Sequence, residues 1–145
     1  MTKETDKPAR FSDDHWKEQL DPQTYMITRQ HGTEAPFSHP YNDNKQEGAY
    51  RCVCCQTPLF DSEHKYDSGS GWPSFYQPTD GVKTQLLKHK DDYTKGYLRL
   101  ELLCAHCDAH LGHVFDDGPQ EKTGKRYCIN GTALIFKDRK DGQDE

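Results

Sequence analysis

Two short stretches decide the fold of this chain: CVCC at Cys52–Cys55 and CAHC at Cys104–Cys107. Each places two cysteines at C-x-x-C spacing, so that one tight turn directs both sulfurs of a pair toward the same ion. Two such pairs supply four thiolates, the ligand set of a closed and catalytically inert zinc site. The four expected ligands are Cys52, Cys55, Cys104 and Cys107. Two disulfides, or a redox-active dithiol beside a structural pair, are the alternatives, and the paired spacing favours one structural zinc ion.

Two further cysteines, Cys54 and Cys128, remain after this assignment. Cys54 could replace a neighbour as a ligand, but the matched spacing of the two pairs favours Cys52 and Cys55. We expect Cys54 to fill apolar space, with redox exchange as the alternative role.

Cys128 lies in the run RYCIN at residues 126–130 and is the candidate nucleophile. A lone cysteine on a strand is more often buried packing, so its neighbours decide the interpretation. Arg126 and Asn130 share its face of a strand, because side chains two positions apart point the same way. The Arg126 guanidinium favours the thiolate and is expected to lower the thiol pKa, and the Asn130 amide offers hydrogen bonds.

Composition limits the classes of function that fit. The chain has 145 residues, 32% of them hydrophobic and 30% charged, so a structural metal would usefully supplement a modest core. The formal net charge of −5 counts against nucleic acid as a partner. The sequence has neither a secretory signal pattern nor an apolar run long enough to span a bilayer, so we expect a cytoplasmic protein without a membrane partner. In a reducing compartment, paired cysteines are more often ligands or catalytic groups than disulfides.

The N-terminal third predicts helices followed by a loop. Residues 1–10 are polar, and we expect them to be flexible. A short helix is predicted from Ser12, its N-cap, through Leu20, and a second helix from Pro22. Many glycine, proline, asparagine and histidine residues between Gly32 and Glu47 predict a long loop.

From Ala49 onward, short apolar segments broken by turn residues predict strands. The clearest are Tyr97–Leu102, Arg126–Asn130 and Thr132–Phe136. We therefore predict a mainly β, antiparallel single domain at residues 11–136, with short N-terminal helices and a flexible charged tail at residues 137–145.

Two further groups of residues can carry chemistry. The segment from His110 to Asp117 places two imidazoles, of His110 and His113, near two carboxylates, and such groups pass protons near neutral pH. Solvated polar groups, or hydrogen-bond partners of the metal ligands, are the alternative. Trp72 lies among small turn-forming residues and can wall a small apolar pocket; a core aromatic under a turn is the alternative.

Taken together, these runs resemble the B-type methionine sulfoxide reductases, which reduce the R epimer of methionine sulfoxide. The matching stretches are residues 52–55 (CVCC), 68–75 (SGSGWPSF), 104–115 (CAHCDAHLGHVF) and 126–130 (RYCIN). The resemblance covers residues 20–136 and follows the order of the family motifs. It implies two antiparallel sheets, with the zinc remote from the reaction centre.

The resemblance also implies roles for individual residues. Cys128 matches the family nucleophile, with Arg126 and Asn130 as its neighbours. Trp72 matches the aromatic residue that receives the substrate methyl group, and Phe115 is assigned with it to substrate binding. His110, His113 and Asp117 match polar groups of the sulfoxide pocket.

One position departs from the family pattern. Many members carry a cysteine where this chain has Ser70, and that cysteine resolves the oxidised enzyme through a disulfide. The expected reaction therefore gives a Cys128 sulfenic acid that thioredoxin reduces, with a Cys54 disulfide or a small thiol as alternatives. A zinc-ribbon binding module and a thiol peroxidase are the competing functions. The expected substrate is oxidised methionine in peptides or proteins.

Overall fold

The structure, a computed structural model, describes residues 13–139. Two short helices begin the described chain, α1 (Asp13–Gln19) and α2 (Pro22–Arg29). Asp21 caps α2 by accepting a hydrogen bond from the Thr24 backbone N–H at 2.8 Å, and Pro22 takes the first helical position, where no N–H is needed. The two helices confirm the predicted N-terminal pair. The predicted cap at Ser12 lies outside the described residues.

The rest of the chain forms two antiparallel sheets, which confirms the predicted fold class. The strands are β1 (Gly48–Cys52), β2 (Pro58–Asp61), β3 (Lys65–Tyr66), β4 (Ser74–Phe75), β5 (Leu87–Asp92), β6 (Arg99–Cys104), β7 (His110–Phe115), β8 (Arg126–Ile129) and β9 (Leu134–Asp138). One sheet has the order β2-β1-β9 and the other β3-β4-β8-β7-β6-β5. Thus β8, which carries Cys128, lies inside the larger sheet and is paired on both sides.

The core lies where the two sheets meet, and aromatic rings fill it. Phe60 of β2 stacks on Phe75 of β4 with ring centroids 4.5 Å apart, and Tyr50 of β1 meets Phe75 edge-on at 5.2 Å. All three side chains are fully buried. Such pairs stabilise the fold beyond their burial by about 0.5–1.5 kcal/mol each.

Two predicted strands are displaced by two residues. β6 begins at Arg99 rather than Tyr97, because the turn that follows β5 closes with the Gly96 N–H on the Tyr93 carbonyl. β9 begins at Leu134 rather than Thr132, because the buried carboxylate of Glu34 binds the backbone N–H groups of Gly131 and Thr132 and removes them from strand pairing. β9 also includes Lys137 and Asp138, which the sequence analysis assigned to the tail.

Within residues 13–139, no helix has both the length and the apolar character that crossing a bilayer requires.

Candidate active site and metal centre

Two turns of matching geometry bring four cysteines together. In the first, the Gln56 N–H donates to the Cys52 carbonyl at 2.8 Å; in the second, the Asp108 N–H donates to the Cys104 carbonyl at the same distance. Gln56 and Asp108 both adopt the left-handed region, with φ of 69° and 67°. This repeated backbone turns both sulfurs of each pair inward, as the C-x-x-C spacing predicted.

The sulfur geometry fits a metal ion and not disulfides. Cys52 Sγ lies 3.6 Å from Cys107 Sγ, and Cys55 Sγ lies 3.6 Å from Cys104 Sγ. A disulfide would need about 2.05 Å. Tetrahedral zinc bonded to sulfur at about 2.3 Å places neighbouring sulfurs about 3.8 Å apart. The four cysteines therefore form a group that could hold a metal ion.

Cys54 lies between this group and helix α2. Its sulfur lies 3.6 Å from Thr28 Oγ1 and 3.9 Å from Arg29 Nη1. Arg29 also donates to the Cys107 carbonyl at 3.0 Å, so the helix is tied to the second turn. The four sulfurs that all lie within 4.8 Å of one another are those of Cys52, Cys55, Cys104 and Cys107, in agreement with the predicted ligand set.

Cys128 opens into a cavity of about 230 Å³ beside the larger sheet. In β8 the side chains of Tyr127 and Ile129 are buried in the core, whereas Arg126 and Cys128 point to the other face and stay partly open. Six of the eight residues predicted for catalysis and substrate binding line this cavity: Trp72, His113, Phe115, Arg126, Cys128 and Asn130. Three further lining residues, Thr33, Arg99 and Gly112, were not assigned a role from the sequence, and Ser70 lines the cavity as well.

Strand pairing positions the polar and aromatic groups around Cys128. His113 of β7 lies directly opposite Cys128, and Phe115 lies opposite Arg126. The Arg126 guanidinium stacks over the Phe115 ring at 4.4 Å. Gly112 allows β7 to approach this closely, since a Cβ there would lie 2.0 Å from the Cys128 carbonyl oxygen. A glycine inside a predicted strand often marks a close approach of another backbone, and this is the sequence signal that could have identified Gly112.

The electrostatics of Cys128 differ from the expectation in one respect. Burial raises the pKa of the Cys128 thiol, and the Arg126 guanidinium and the Ser70 hydroxyl offset this only in part. Arg126 thus acts in the predicted direction, but desolvation outweighs it. The resting site therefore holds a protonated thiol at neutral pH.

His113 is held by a carboxylate. Its Nε2 lies 2.8 Å from Asp92 Oδ2, which also accepts a hydrogen bond from Arg99 at 3.0 Å. Burial lowers the pKa of His113, and the hydrogen bond to Asp92 opposes the shift. His113 is therefore neutral at pH 7, with one ring nitrogen committed to Asp92.

Two of the predicted catalytic residues do not line the Cys128 cavity. His110 is buried in the wall of a neighbouring cavity of about 440 Å³, where its Nδ1 lies 2.6 Å from Glu101 Oε2. The same oxygen lies 2.5 Å from His31 Nδ1, and the three side chains together are a second group that could hold a metal ion. Asp117 is exposed and reaches the site through Arg126, whose Nε donates to it at 2.8 Å.

The Asn130 amide is used within the structure. Its Oδ1 accepts from the Glu34 N–H at 2.9 Å, and its Nδ2 donates to the Leu111 carbonyl at 3.0 Å. The carbonyl of Glu34 in turn accepts from the indole Nε1 of Trp72 at 3.0 Å. Asn130 and Trp72 are therefore held in place through one segment of the N-terminal loop, a link between distant residues that the sequence gives no means to find.

Comparison with known proteins agrees with this arrangement. Residues 20–138 match the SelR domain family. The chain is 50% identical over 137 residues to "Peptide methionine sulfoxide reductase MsrB" of Thioalkalivibrio sulfidiphilus, covering 94% of this chain and 97% of the relative. It is 54% identical over 128 residues to the protein of the same name from Hahella chejuensis (88% and 89% covered). It is also 55% identical over 128 residues to "Peptide methionine sulfoxide reductase B1, chloroplastic" of Arabidopsis thaliana (87% and 60% covered).

Proposed function

This chain belongs to the SelR-domain family of methionine sulfoxide reductases, and we propose that it reduces (R)-methionine sulfoxide in peptides or proteins with Cys128 as the nucleophile. One observation carries the proposal: Cys128 opens into a small cavity that has aromatic walls and also holds the imidazole of His113 and the guanidinium of Arg126. An aromatic wall suits a thioether, and the polar groups suit a sulfoxide oxygen.

The cavity separates the two ends of the sulfoxide group. Trp72 and Phe115 offer apolar contact to the methyl group. His113 and Arg126 lie near Cys128, where the oxygen would be placed. Contact of the methyl group with Trp72 and of the oxygen with His113 would fix which face of the sulfur meets Cys128, which is the basis proposed for selection of the R epimer.

The first chemical step conserves atoms and protons within the site. The sulfur of Cys128 attacks the sulfoxide sulfur and forms a transient S–S bond. The oxygen then moves to the Cys128 sulfur as the substrate S–O bond and the S–S bond break, which gives a Cys128 sulfenic acid and methionine. The oxygen needs a proton as charge develops on it, and the Cys128 thiol brings one because its pKa is raised. Neutral His113 relays that proton, and Arg126 stabilises the thiolate as it forms.

Recycling requires two thiols from outside the cavity. One thiol condenses with the Cys128 sulfenic acid to give a mixed disulfide and water, and a second releases Cys128 as a thiol. The hydroxyl of Ser70 cannot perform the first step. We propose thioredoxin as the reductant, with small thiols as a substitute; Cys54 contacts Thr28 and Arg29 and is not part of the Cys128 cavity wall.

We propose that Cys52, Cys55, Cys104 and Cys107 bind one zinc ion. Four thiolates leave no coordination position for substrate, so the ion would supply structure and no chemistry. None of the four lines the Cys128 cavity. We also propose a cytoplasmic location, because all six cysteines lack a disulfide partner, as expected in a reducing compartment.

The test is turnover with each epimer of methionine sulfoxide, with dithiothreitol as reductant. We expect methionine from the R epimer only, and none from either epimer with Cys128→Ser. Equal turnover of both epimers would contradict the proposed selection, and normal activity of Cys128→Ser would contradict the proposed nucleophile. A reductase that consumes hydrogen peroxide faster than sulfoxide would instead be a thiol peroxidase.

A further inference from the structure

Phe37 is an exposed aromatic residue in a strained backbone conformation. Its φ is 61°, in the left-handed region, and its side chain is 70% exposed. Bulky residues rarely adopt this region because Cβ approaches the neighbouring carbonyl. Strain of this kind persists when surrounding contacts impose it, and it concentrates at functional sites. An aromatic ring left in solvent does not repay the strain through core packing.

The Phe37 ring packs beside Gly71, next to the wall of the Cys128 cavity. The backbone N–H of Phe37 donates to the Gly71 carbonyl at 2.7 Å, and a Cβ built on Gly71 would lie 2.9 Å from the Phe37 ring. Gly71 stands between Ser70 and Trp72, both of which line the cavity. The ring therefore lies beside the part of the cavity wall that Ser70 and Trp72 form.

The segment that carries Phe37 is fixed to the active site. The Glu34 side chain is buried and accepts hydrogen bonds from the backbone of Gly131 and Thr132, just beyond strand β8. The backbone carbonyl of Glu34 accepts a hydrogen bond from the Trp72 indole. Phe37 is thus presented at a defined position, and an aromatic side chain held in this way binds with little loss of conformational entropy.

We propose that Phe37 is a binding site for an apolar side chain that flanks methionine sulfoxide in a polypeptide substrate. The inference rests on the proposed function and extends it. A cavity of about 230 Å³ accommodates one side chain, so the neighbouring residues of a polypeptide must lie across its rim. The segment Ala35–Ser38, which includes Phe37, carries no charge, and this favours an apolar neighbour over a charged one.

The experiment compares free (R)-methionine sulfoxide with two five-residue peptides that carry it centrally. One peptide has leucine on both sides of the sulfoxide and the other has glutamate. The variants are Phe37→Asn, Phe37→Tyr and, as a control, Val82→Ala. Asparagine tolerates positive φ, so Phe37→Asn should fold with an unchanged or higher melting temperature. Val82 is 46% exposed, and the Cys128 cavity wall does not include it.

For the wild type, we expect a lower KM with the leucine peptide than with the glutamate peptide. Phe37→Asn should lower kcat/KM about tenfold more for the leucine peptide than for the free amino acid, corresponding to loss of one aromatic contact. Phe37→Tyr keeps an aromatic ring and should retain the preference for the leucine peptide over the glutamate peptide. Val82→Ala should behave as the wild type does.

Two results would overturn this inference. Equal losses on all three substrates would mean that Phe37 only supports the Trp72 loop. Unchanged kinetics of Phe37→Asn on the leucine peptide would remove it from substrate binding. A wild type inactive on free (R)-methionine sulfoxide would instead overturn the proposed function itself, so the two failures are distinguishable.

Discussion

Ser70 Oγ lies 4.0 Å from Cys128 Sγ, across the mouth of the same cavity. The two side chains are brought together by pairing of β4 with β8, where Ser74 stands opposite Cys128 and the Ser68–Ser74 turn folds over it. This chain therefore places a hydroxyl where a resolving thiol would meet the oxidised nucleophile. The position of residue 70 is suited to a disulfide with Cys128, but its side chain carries an oxygen where a cysteine would carry a sulfur.

Replacing that atom should change the route of recycling. In Ser70→Cys, a short rotation of either side chain brings the two sulfurs to bonding distance, so the sulfenic acid should be converted to an internal disulfide with release of water. Mass spectrometry after oxidation by methionine sulfoxide, without reductant, should show loss of two hydrogens. A stable sulfenic acid in this variant would mean that the loop holds residue 70 too far away. Ser68→Cys is a matched control, because the Ser68 hydroxyl lies 2.8 Å from that of Ser70.

Arg126 should control the ionisation of Cys128. Burial raises the pKa of this thiol and Arg126 lowers it, so Arg126→Met should move the pKa further upward. The thiolate fraction rises as pH increases through the thiol pKa, and the variant should therefore need a higher pH for the same rate of alkylation by iodoacetamide. Arg126→Lys keeps the charge and should lie between the two. Identical pH profiles for wild type and Arg126→Met would contradict the electrostatic role.

His113 and Asp92 should act as a pair. His113→Gln should lower kcat by about a hundredfold, the usual loss when a proton-transferring group is removed. Asp92→Asn should lower the His113 pKa further, because the Asp92 hydrogen bond opposes the effect of burial. A rate that depends on neutral His113 is lost as pH falls through that pKa, so in Asp92→Asn the loss should begin at a lower pH than in the wild type. Asp116→Asn is the control, because Asp116 is an exposed carboxylate outside the cavity wall. If the pH profile shifted as much in Asp116→Asn as in Asp92→Asn, the pairing of Asp92 with His113 would be contradicted.

Removal of one metal ligand should affect the fold rather than the chemistry alone. Cys104→Ser should lose bound zinc and unfold at a much lower temperature, because metal binding is coupled to folding. Cys54→Ser keeps the four-sulfur group and should retain one zinc ion per chain, measured by elemental analysis. Full zinc content in Cys104→Ser, or loss of zinc in Cys54→Ser, would show that the ligands are assigned wrongly.

Much of this site could be predicted from the sequence because its residues lie close together in the chain. C-x-x-C spacing fixes a local turn, and the alternation of Arg126 and Cys128 places both on one face of strand β8 whatever the rest of the fold does. Asn130 follows the end of that strand and still lines the cavity. Trp72 was expected as a pocket wall from its loop of small residues, and Phe115 was assigned to substrate binding; both line the cavity. Arg126 lowers the Cys128 pKa as expected, but burial raises it by more, and this net rise could not be predicted because burial is a property of the whole fold.

The residues that sequence analysis missed are joined by long-range contacts. Glu34 reaches Gly131 and Thr132, and Glu101 lies between the imidazoles of His31 and His110. Each pairing depends on how loops and sheets pack, and no local pattern indicates it. The single-domain boundaries at residues 11 and 136 remain predictions, which limited proteolysis can test.

The sulfur atom of Cys128 is the proposed acceptor of the sulfoxide oxygen. The direct measurement is the mass of the protein and of its peptides after oxidation by excess (R)-methionine sulfoxide in the absence of reductant, with dimedone added to trap sulfenic acid. We predict one equivalent of methionine and one dimedone adduct, located on Cys128. Methionine formed with Cys128 unmodified, or an adduct on another cysteine, would contradict the central claim.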